Sequence, residues 1–160
     1  GFRMRVVAYD PYWPEEFAAE HDIERVEIDE LLSVSDVVSL HVPLMEKTRN
    51  LIDAAALSRM KSQAILVNCA RGGIVNESDL AEALKKRKIA GAGIDVFDSE
   101  PPEESPLLEL DNVVLTPHTA AFTTQALANM DWGVVEQLLG YAQGKQPPHA
   151  VNPDIFKPPF

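Results

Sequence analysis

The sequence predicts a doubly wound α/β fold built on a parallel sheet. Short apolar runs alternate along the chain with segments whose apolar residues recur at helical spacing. The short runs are apolar throughout and do not alternate with polar residues, which is typical of strands buried by helices on both faces of a sheet. Most of the runs stop at a polar residue or a proline, as strands do where they leave the sheet.

Each element has its own local signal. Six apolar runs predict strands: residues 5–9, 25–28, 36–42, 64–67, 89–96 and 113–115. Proline and acidic residues predict a short helix at residues 14–20. Asp29, Asp53 and Asn76 are suitable caps for three further helices, and a long closing helix is expected from Thr119 to about Tyr141. Residues 145–160 are expected to form an extended, proline-rich tail.

Composition excludes several function classes. The chain has 160 residues and a formal charge of −11, so we expect no nucleic-acid partner and no anionic membrane partner. No apolar run is long enough to span a bilayer, and a cytoplasmic location is expected. The single cysteine excludes an internal disulfide and a cysteine-based zinc cluster, and the histidines and acids lack metal-ligand spacing.

Polar residues follow five of the predicted strands, where an open parallel sheet binds its ligands. Asp10 follows the first strand and suits the ribose hydroxyls of NAD, although an aspartate before a proline is equally suited to a turn. Arg71 precedes two glycines and offers a planar fork for a carboxylate, and the alternative is an exposed loop arginine. Asp95 and His118 follow the last two strands.

His118 and Glu100 are candidates for proton transfer. Histidine titrates in the range that general acid–base catalysis needs, and a neighbouring carboxylate would fix its tautomer. The alternatives are a capping or turn role for His118, because a helix is expected from Thr119, and a solvated loop position for Glu100.

Five ordered segments carry a family resemblance: AYDPY, HVPLMEKTRNLI, LVNCARGGIVNESDLAEAL, GAGIDVFDSEPP and VVLTPHTA. Together they resemble the NAD-dependent D-2-hydroxyacid dehydrogenases, nearest to the phosphoglycerate dehydrogenase and glyoxylate/hydroxypyruvate reductase branch. The resemblance extends to about Gly144. It implies a Rossmann-like NAD-binding domain over residues 1–144, and hydride transfer between NAD(H) and a small 2-hydroxy or 2-keto acid.

The resemblance also implies roles for individual residues. Arg71 would bind the substrate carboxylate and carbonyl, His118 would exchange the proton with the substrate oxygen, and Glu100 would pair with His118. Asp10 would hold the adenosine ribose and Asp95 the nicotinamide carboxamide. The implied cofactor contacts are Asp10, His41, Val42, Pro43, Thr48, Cys69, Ala70, Arg71, Asp95, His118 and Ala120.

One expected feature is missing from the sequence. A G-x-G-x-x-G fingerprint should lie about 20 residues before Asp10, but only nine residues precede it. The domain is therefore expected to lack its first, central strand and its phosphate-binding loop, which leaves two unpaired strand edges. This predicts either a homo-oligomer or association with another polypeptide that covers the missing strand. We expect weak NADH binding by the isolated chain. An NAD-sensing, corepressor-like regulator and an inert truncated remnant are the alternative functions.

Overall fold

The computed structural model describes residues 3–153, so residues 154–160 of the predicted tail lie outside the described part. The described chain contains six short strands: β1 (Val6–Ala8), β2 (Ile23–Arg25), β3 (Val37–Leu40), β4 (Ile65–Asn68), β5 (Gly91–Ile94) and β6 (Val113–Leu115). Every strand pair is parallel, which confirms the predicted sheet type.

The strands form two separate sheets. β1 pairs with β2, and β3, β4, β5 and β6 pair in sequence order. Within residues 3–153 no strand pairing joins β1 to β3, the place where the sequence predicts a missing strand. β1 and β3 are each paired on one side only in this part of the chain, as the predicted strand order requires.

Five helices accompany the strands: α1 (Glu15–Glu20), α2 (Ile28–Val34), α3 (Ala54–Arg59), α4 (Glu77–Lys85) and α5 (Thr124–Ala142). The caps predicted for α3 and α4 are confirmed. The Asp53 side chain accepts a hydrogen bond from the Ala56 amide, and that of Asn76 accepts one from the Asp79 amide, which satisfies donors that a helix start leaves free.

The first prediction that the structure corrects concerns β2 and α2. β2 spans Ile23–Arg25, earlier than the predicted strand at 25–28. The reason is that α1 ends at Glu20 with His21 as its cap, and the left-handed Asp22 then turns the chain directly into the strand. Ile28 then begins α2, so Asp29 lies in the first turn and is not the cap. An aspartate side chain is a favourable cap, but the backbone places Glu27 at the cap position, without a side-chain hydrogen bond.

The start of the closing helix is corrected as well. α5 begins at Thr124 and not at Thr119, because residues 119–123 form turns in which the Phe122 amide bonds to the Thr119 carbonyl. Thr123 caps the helix by accepting a hydrogen bond from the Ala126 amide at 3.1 Å. β5 is also shorter than predicted, since regular pairing covers only Gly91–Ile94.

The core lies on one face of the four-stranded sheet. Side chains of α3 and α4, such as Leu57 and Leu80, pack in one apolar cluster with Val38 and Leu66 of the strands. The alternate strand residues differ: Val37 is 45% exposed and Ile65 43%. Within the described residues, the strand face that carries Val37 and Ile65 is therefore less covered than the face that packs against α3 and α4.

The chain divides into two compact units after His118. The second unit contains α5, a helix of 19 residues of which none is buried. Its exposed apolar side chains include Leu127, Met130, Trp132, Val134, Val135, Leu138, Leu139 and Tyr141.

Candidate active site

The site is built on the carboxyl ends of β4, β5 and β6. Register places these ends side by side, since Asn68 pairs with Ile94 and Ile94 with Leu115. Beyond the strands, the Asp95 amide donates to the Asn68 carbonyl at 3.0 Å, and the His118 amide donates to the Asp95 carbonyl at 2.8 Å. The backbone of Asp95 therefore connects the end of β4 with His118.

His118 and Glu100 form a pair, as predicted. The His118 Nδ1 lies 2.9 Å from the Glu100 Oε2, and both side chains are accessible to solvent, at 51% and 39%. The other carboxylate oxygen accepts a hydrogen bond from the Phe97 amide at 3.2 Å. The hydrogen bond from His118 lowers the pKa of Glu100 from its usual value, and the Phe97 amide adds to this effect.

The backbone of His118 is in the left-handed region, with φ of 54°. This conformation is uncommon for a residue other than glycine, and such strain concentrates at functional sites. Because α5 is capped by Thr123, a helix-capping role does not account for His118.

Arg71 lies in a tight turn that the Asn68 side chain closes. The buried Asn68 amide group donates to the Arg71 carbonyl at 3.0 Å and accepts from the Ala70 amide at 3.1 Å. The Arg71 side chain is exposed, and its Nη1 donates to the Ala70 carbonyl at 2.6 Å. Within residues 3–153 no carboxylate lies within ion-pair distance of Arg71, so its guanidinium is not neutralised by that part of the chain.

Gly72 brings the Arg71 turn against the segment that leads to Glu100. A Cβ atom on Gly72 would lie 1.8 Å from the Phe97 carbonyl oxygen, far inside van der Waals contact. Only glycine permits this approach. The turn that carries Arg71 and the chain that carries Glu100 are therefore in direct backbone contact.

Asp95 and Cys69 have different environments in the same region. Asp95 is buried, and its Oδ1 accepts a hydrogen bond from the Thr116 hydroxyl at 2.5 Å. Cys69 is exposed as a residue, yet partial desolvation of its thiol raises the pKa, and the Asp95 carboxylate raises it further. The thiol therefore stays protonated near neutral pH and is a poor nucleophile.

The remaining predicted cofactor contacts have local partners in the structure. Asp10 is exposed at the end of β1, where its Oδ1 accepts from the Tyr12 amide at 2.7 Å, so it does form the turn that was its alternative role. The His41 Nε2 lies 2.9 Å from the Ser39 hydroxyl. The Thr48 hydroxyl donates to the Pro43 carbonyl at 2.6 Å and accepts from the Met45 amide, which closes the loop after β3.

The structure thus brings His118, Glu100 and the Asp95 backbone together and places the Arg71 turn against the same segment. Asp10 lies on the separate β1–β2 sheet, Val42 and Pro43 follow β3, and Ala120 is an exposed residue of the second unit.

The sequence interpretation missed the side-chain roles of Asn68 and Thr116. Asn68 directly follows the strand predicted at residues 64–67 and Thr116 directly follows the one at 113–115, and these positions are the only signals that the sequence offers for them. Among the described residues there is no group of three or more histidine, cysteine or acidic side chains that could hold a metal ion. The same residues contain no helix with the length and apolar character that a membrane crossing requires.

A parallel sheet with candidate ligand-binding side chains at its carboxyl edge is the arrangement of doubly wound α/β domains, among them those that bind dinucleotides. Comparison with known proteins gives the family: the profile described as "D-isomer specific 2-hydroxyacid dehydrogenase, NAD binding domain" matches residues 1–120. The chain belongs to this family, whose cofactor is NAD. This result confirms the predicted resemblance and fold class.

Curated relatives carry two enzyme names. The chain is 46% identical over 158 residues to a glyoxylate reductase of Korarchaeum cryptofilum, and the match covers 98% of this chain and 48% of that protein. It is 45% identical over 152 residues to a D-3-phosphoglycerate dehydrogenase of Methanocaldococcus jannaschii, covering 94% of this chain and 29% of that protein. The chain thus spans half or less of the length of these relatives.

A solved structure of similar fold is the D-isomer specific 2-hydroxyacid dehydrogenase of Lactobacillus delbrueckii ssp. bulgaricus in its NAD complex. It has a TM-score of 0.83 and 38% identity, over 92% of this chain and 49% of that one. The D-lactate dehydrogenase of Lactobacillus jensenii with NAD+ has a TM-score of 0.82 and 34% identity, over 92% and 48%.

Proposed function

We propose that this chain supplies the proton-transfer and cofactor-binding residues of an oxidoreductase that interconverts a D-2-hydroxy acid and a 2-keto acid with NAD. The single observation that carries the proposal is the hydrogen bond of 2.9 Å between His118 and Glu100 at the carboxyl edge of the sheet. The family membership of residues 1–120 supports the same reaction class.

The hydrogen bond between Glu100 and the Nδ1 of His118 leaves the Nε2 as the proposed contact with the substrate. A lowered pKa keeps Glu100 ionised at neutral pH, and an ionised carboxylate only accepts hydrogen bonds, so the Nδ1 carries the proton that they share. The Nε2 is then the atom that exchanges a proton with the substrate oxygen. It takes the hydroxyl proton when the hydroxy acid is oxidised and returns one when the keto acid is reduced.

Arg71 is the proposed anchor of the substrate. Its guanidinium is exposed and is not neutralised by a carboxylate of the described chain. A guanidinium binds a carboxylate through two parallel hydrogen bonds, which fixes the orientation of a 2-hydroxy acid as well as its charge. Asn68 and Gly72 hold the turn from which Arg71 extends.

The residues present fit part of an NAD site. Asp10 offers an exposed carboxylate at the end of β1 for ribose hydroxyls, and Asp95 offers a buried one, already oriented by Thr116, for the nicotinamide carboxamide. The segments His41–Pro43, Thr48, Cys69–Ala70 and Ala120 are proposed to line the cofactor. NAD, when bound, supplies the hydride acceptor. The phosphate-binding fingerprint is not among these 160 residues, so the pyrophosphate needs a loop from elsewhere.

We further propose that the domain acts in association with another chain or copy, in the cytoplasm. The one-sided pairing of β1 and β3 and the exposed apolar residues of α5 support association. A single cysteine, which can form no internal disulfide, is compatible with a reducing compartment.

The test is turnover in the complete polypeptide that contains these residues. Glyoxylate, hydroxypyruvate and pyruvate with NADH would be compared for the wild type, His118→Gln and Arg71→Ala. Loss of the proton-transfer group is expected to reduce kcat about 10²–10⁴-fold. His149→Gln is the matched control, because His149 is exposed on the second unit and has no proposed role.

Near-normal turnover in His118→Gln would contradict the acid–base assignment. NADH binding without turnover of any of these acids by the wild type would favour the regulatory alternative.

A further inference from the structure

The loop that carries Glu100 is held at both ends by one side chain from a different element. This Glu100 loop, defined here as residues 97–105, leaves β5 and passes the first turn of α4. Glu77 accepts a hydrogen bond from the Asp98 amide through its Oε1 at 2.6 Å. Its Oε2 accepts another from the Ser105 hydroxyl at 2.5 Å. A single carboxylate thus bridges the two ends of the loop.

Glu77 is itself well anchored. It is the first residue of α4, directly after the cap Asn76. Leu80 and Leu84 of the same helix are fully buried in the core, so the backbone of Glu77 is fixed relative to the sheet. At the far end of the loop, the Ser105 hydroxyl also accepts from the amide of Leu107, which is fully buried. The bridge therefore connects two rigid parts of the molecule.

Apart from the buried Phe97 and two backbone hydrogen bonds, from the Glu103 amide to the Pro101 carbonyl and from the Ser105 amide to the Pro102 carbonyl, most of the loop is exposed. Asp98, Ser99 and Glu100 are exposed, and so are Glu103 and Glu104. Within the loop, the Phe97 amide bonds to the Glu100 Oε1. Phe97 immediately precedes Asp98, whose amide is bonded to Glu77. The hydrogen bond at Asp98 therefore also restrains the neighbouring Phe97 amide, which donates to the Glu100 carboxylate.

We propose that Glu77 is a positioning residue for the proton-transfer pair: by bridging Asp98 and Ser105 it holds Glu100 where its carboxylate meets His118. That Glu77 contributes to catalysis rests on the proposed function, whereas its effect on the position of Glu100 does not depend on that function. The competing explanation is that Glu77 only stabilises α4, as an acidic residue in the first turn of a helix does.

The pKa of Glu100 separates the two explanations. It is held low by the hydrogen bonds from His118 and the Phe97 amide, and the Asp95 carboxylate opposes them. Removing the negative charge of Glu77 without moving the loop would leave this pKa unchanged or lower it, because less negative charge surrounds Glu100. Loss of positioning would break the hydrogen bonds and raise the pKa. The direction of the change is therefore diagnostic.

The experiment follows the Glu100 carboxyl carbon by ¹³C NMR as the pH is lowered, in the complete polypeptide that contains these residues and without ligands. Glu77→Ala is expected to raise the pKa of Glu100 towards its ordinary range. Ser105→Ala, which removes one of the two anchors and no charge, is expected to raise it less. Glu82→Ala is the matched control, because Glu82 lies on the same helix with Lys86 as its partner and should leave Glu100 unchanged.

An unchanged or lower pKa of Glu100 in Glu77→Ala would overturn the proposal. If that variant does not fold, the same criterion is applied to Ser105→Ala: an unchanged or lower pKa of Glu100 would overturn the proposal. Thermal melting checks that this variant is folded. Since no substrate or cofactor takes part, failure here is distinguishable from failure of the turnover test.

Discussion

Gly72 shows how a single residue without a side chain constrains the candidate site. Its backbone contacts the Phe97 carbonyl so closely that a methyl group cannot be accommodated without a backbone shift. Gly72 and Phe97 are 25 positions apart in the sequence (97 − 72) and lie on the turns that follow β4 and β5. A small local change at Gly72 should therefore affect both turns.

We expect Gly72→Ala to destabilise the fold by about 1–3 kcal/mol, the usual cost of forcing an extra carbon into a packed region. Urea unfolding followed by circular dichroism measures the change. Gly93→Ala is the matched control, because the nearest atom to its new Cβ would be a Val67 methyl at 4.0 Å, an ordinary contact. Equal stability of the two variants would contradict the close approach at Gly72.

Glu100 gives a prediction in terms of pH. Its pKa is lower in the folded chain than in the unfolded chain, chiefly through the hydrogen bond from His118. A carboxyl group of this kind stabilises the fold above its unfolded pKa of about 4.3, and the stabilisation is lost as the pH falls through the lower, folded value. The effect is expected to be small, because both side chains are exposed to solvent.

The free energy of unfolding of the wild type should therefore exceed that of Glu100→Gln by a constant amount near neutral pH. The difference should shrink as the pH is lowered below about 4. Urea titrations of both proteins at a series of pH values measure this difference. A difference that grew on acidification would have the wrong sign for a carboxylate that accepts hydrogen bonds.

At the residue level, the sequence points to candidate side chains for the chemistry, but not to the groups that hold them in place. His118, Glu100 and Arg71 were identifiable because their chemical types suit the reaction and a resemblance supported them. Asn68, Gly72 and Glu77 act through contacts that depend on the folded path of the chain, so no local pattern marks their roles.

The helices show which caps the local sequence specifies. Asp53 caps α3 through a hydrogen bond of 2.9 Å to the Ala56 amide, and this helix starts where the sequence predicts. Asp29 is the same residue type, but it lies inside the first turn of α2, where its contact is an exposed ion pair with Arg59 at 3.4 Å. The two aspartates therefore allow a direct comparison.

We expect Asp53→Ala to lower the free energy of unfolding by about 1 kcal/mol, because it leaves an amide of the helix start without its acceptor. Asp29→Ala should cost less, since exposed ion pairs contribute about 0–1 kcal/mol. Chemical denaturation of both variants provides the measurement. A larger loss of unfolding free energy in Asp29→Ala than in Asp53→Ala would contradict this and would indicate that Asp29 acts as the cap of α2.

At the level of elements, the parallel strands and the caps of α3 and α4 were predictable, whereas the boundaries of β2, α2 and α5 were not. At the starts of β2 and α5 the deciding feature is a backbone turn. Asp22 adopts a left-handed conformation before β2, and residues 119–123 turn before α5. Aspartate and threonine are compatible with several turn conformations, so the sequence leaves these positions open.

At the scale of the whole molecule, the described part of the chain exposes many large apolar side chains. α5 buries none of its residues, and Trp132 and Leu138 are 67% and 64% exposed. Val37 and Ile65 add exposed apolar side chains on the four-stranded sheet. Apolar surface of this extent marks an interaction site or an aggregation hazard.

We therefore expect the chain to self-associate, with a mass by light scattering that rises with concentration above that of the 17.6 kDa monomer. Replacing Trp132 and Leu138 with glutamate should shift the chain towards the monomer. The double replacement of Gln125 and Asn129 with glutamate is the matched control, because it adds the same charge to exposed polar positions of the same helix. A monodisperse monomer with a cooperative thermal transition would contradict the expectation.

The backbone connection through Asp95 bears on the kinetics of local opening. The Asp95 amide is bonded to the end of β4, and its carbonyl receives the His118 amide. Amide protons in such a bonded series exchange with solvent only when the sheet edge opens, whereas those of an ordinary surface loop exchange freely. Although the imidazole of His118 is exposed, its amide proton should therefore exchange as slowly as those of the strand ends, so the candidate proton-transfer residue is carried by backbone that opens only together with the sheet edge.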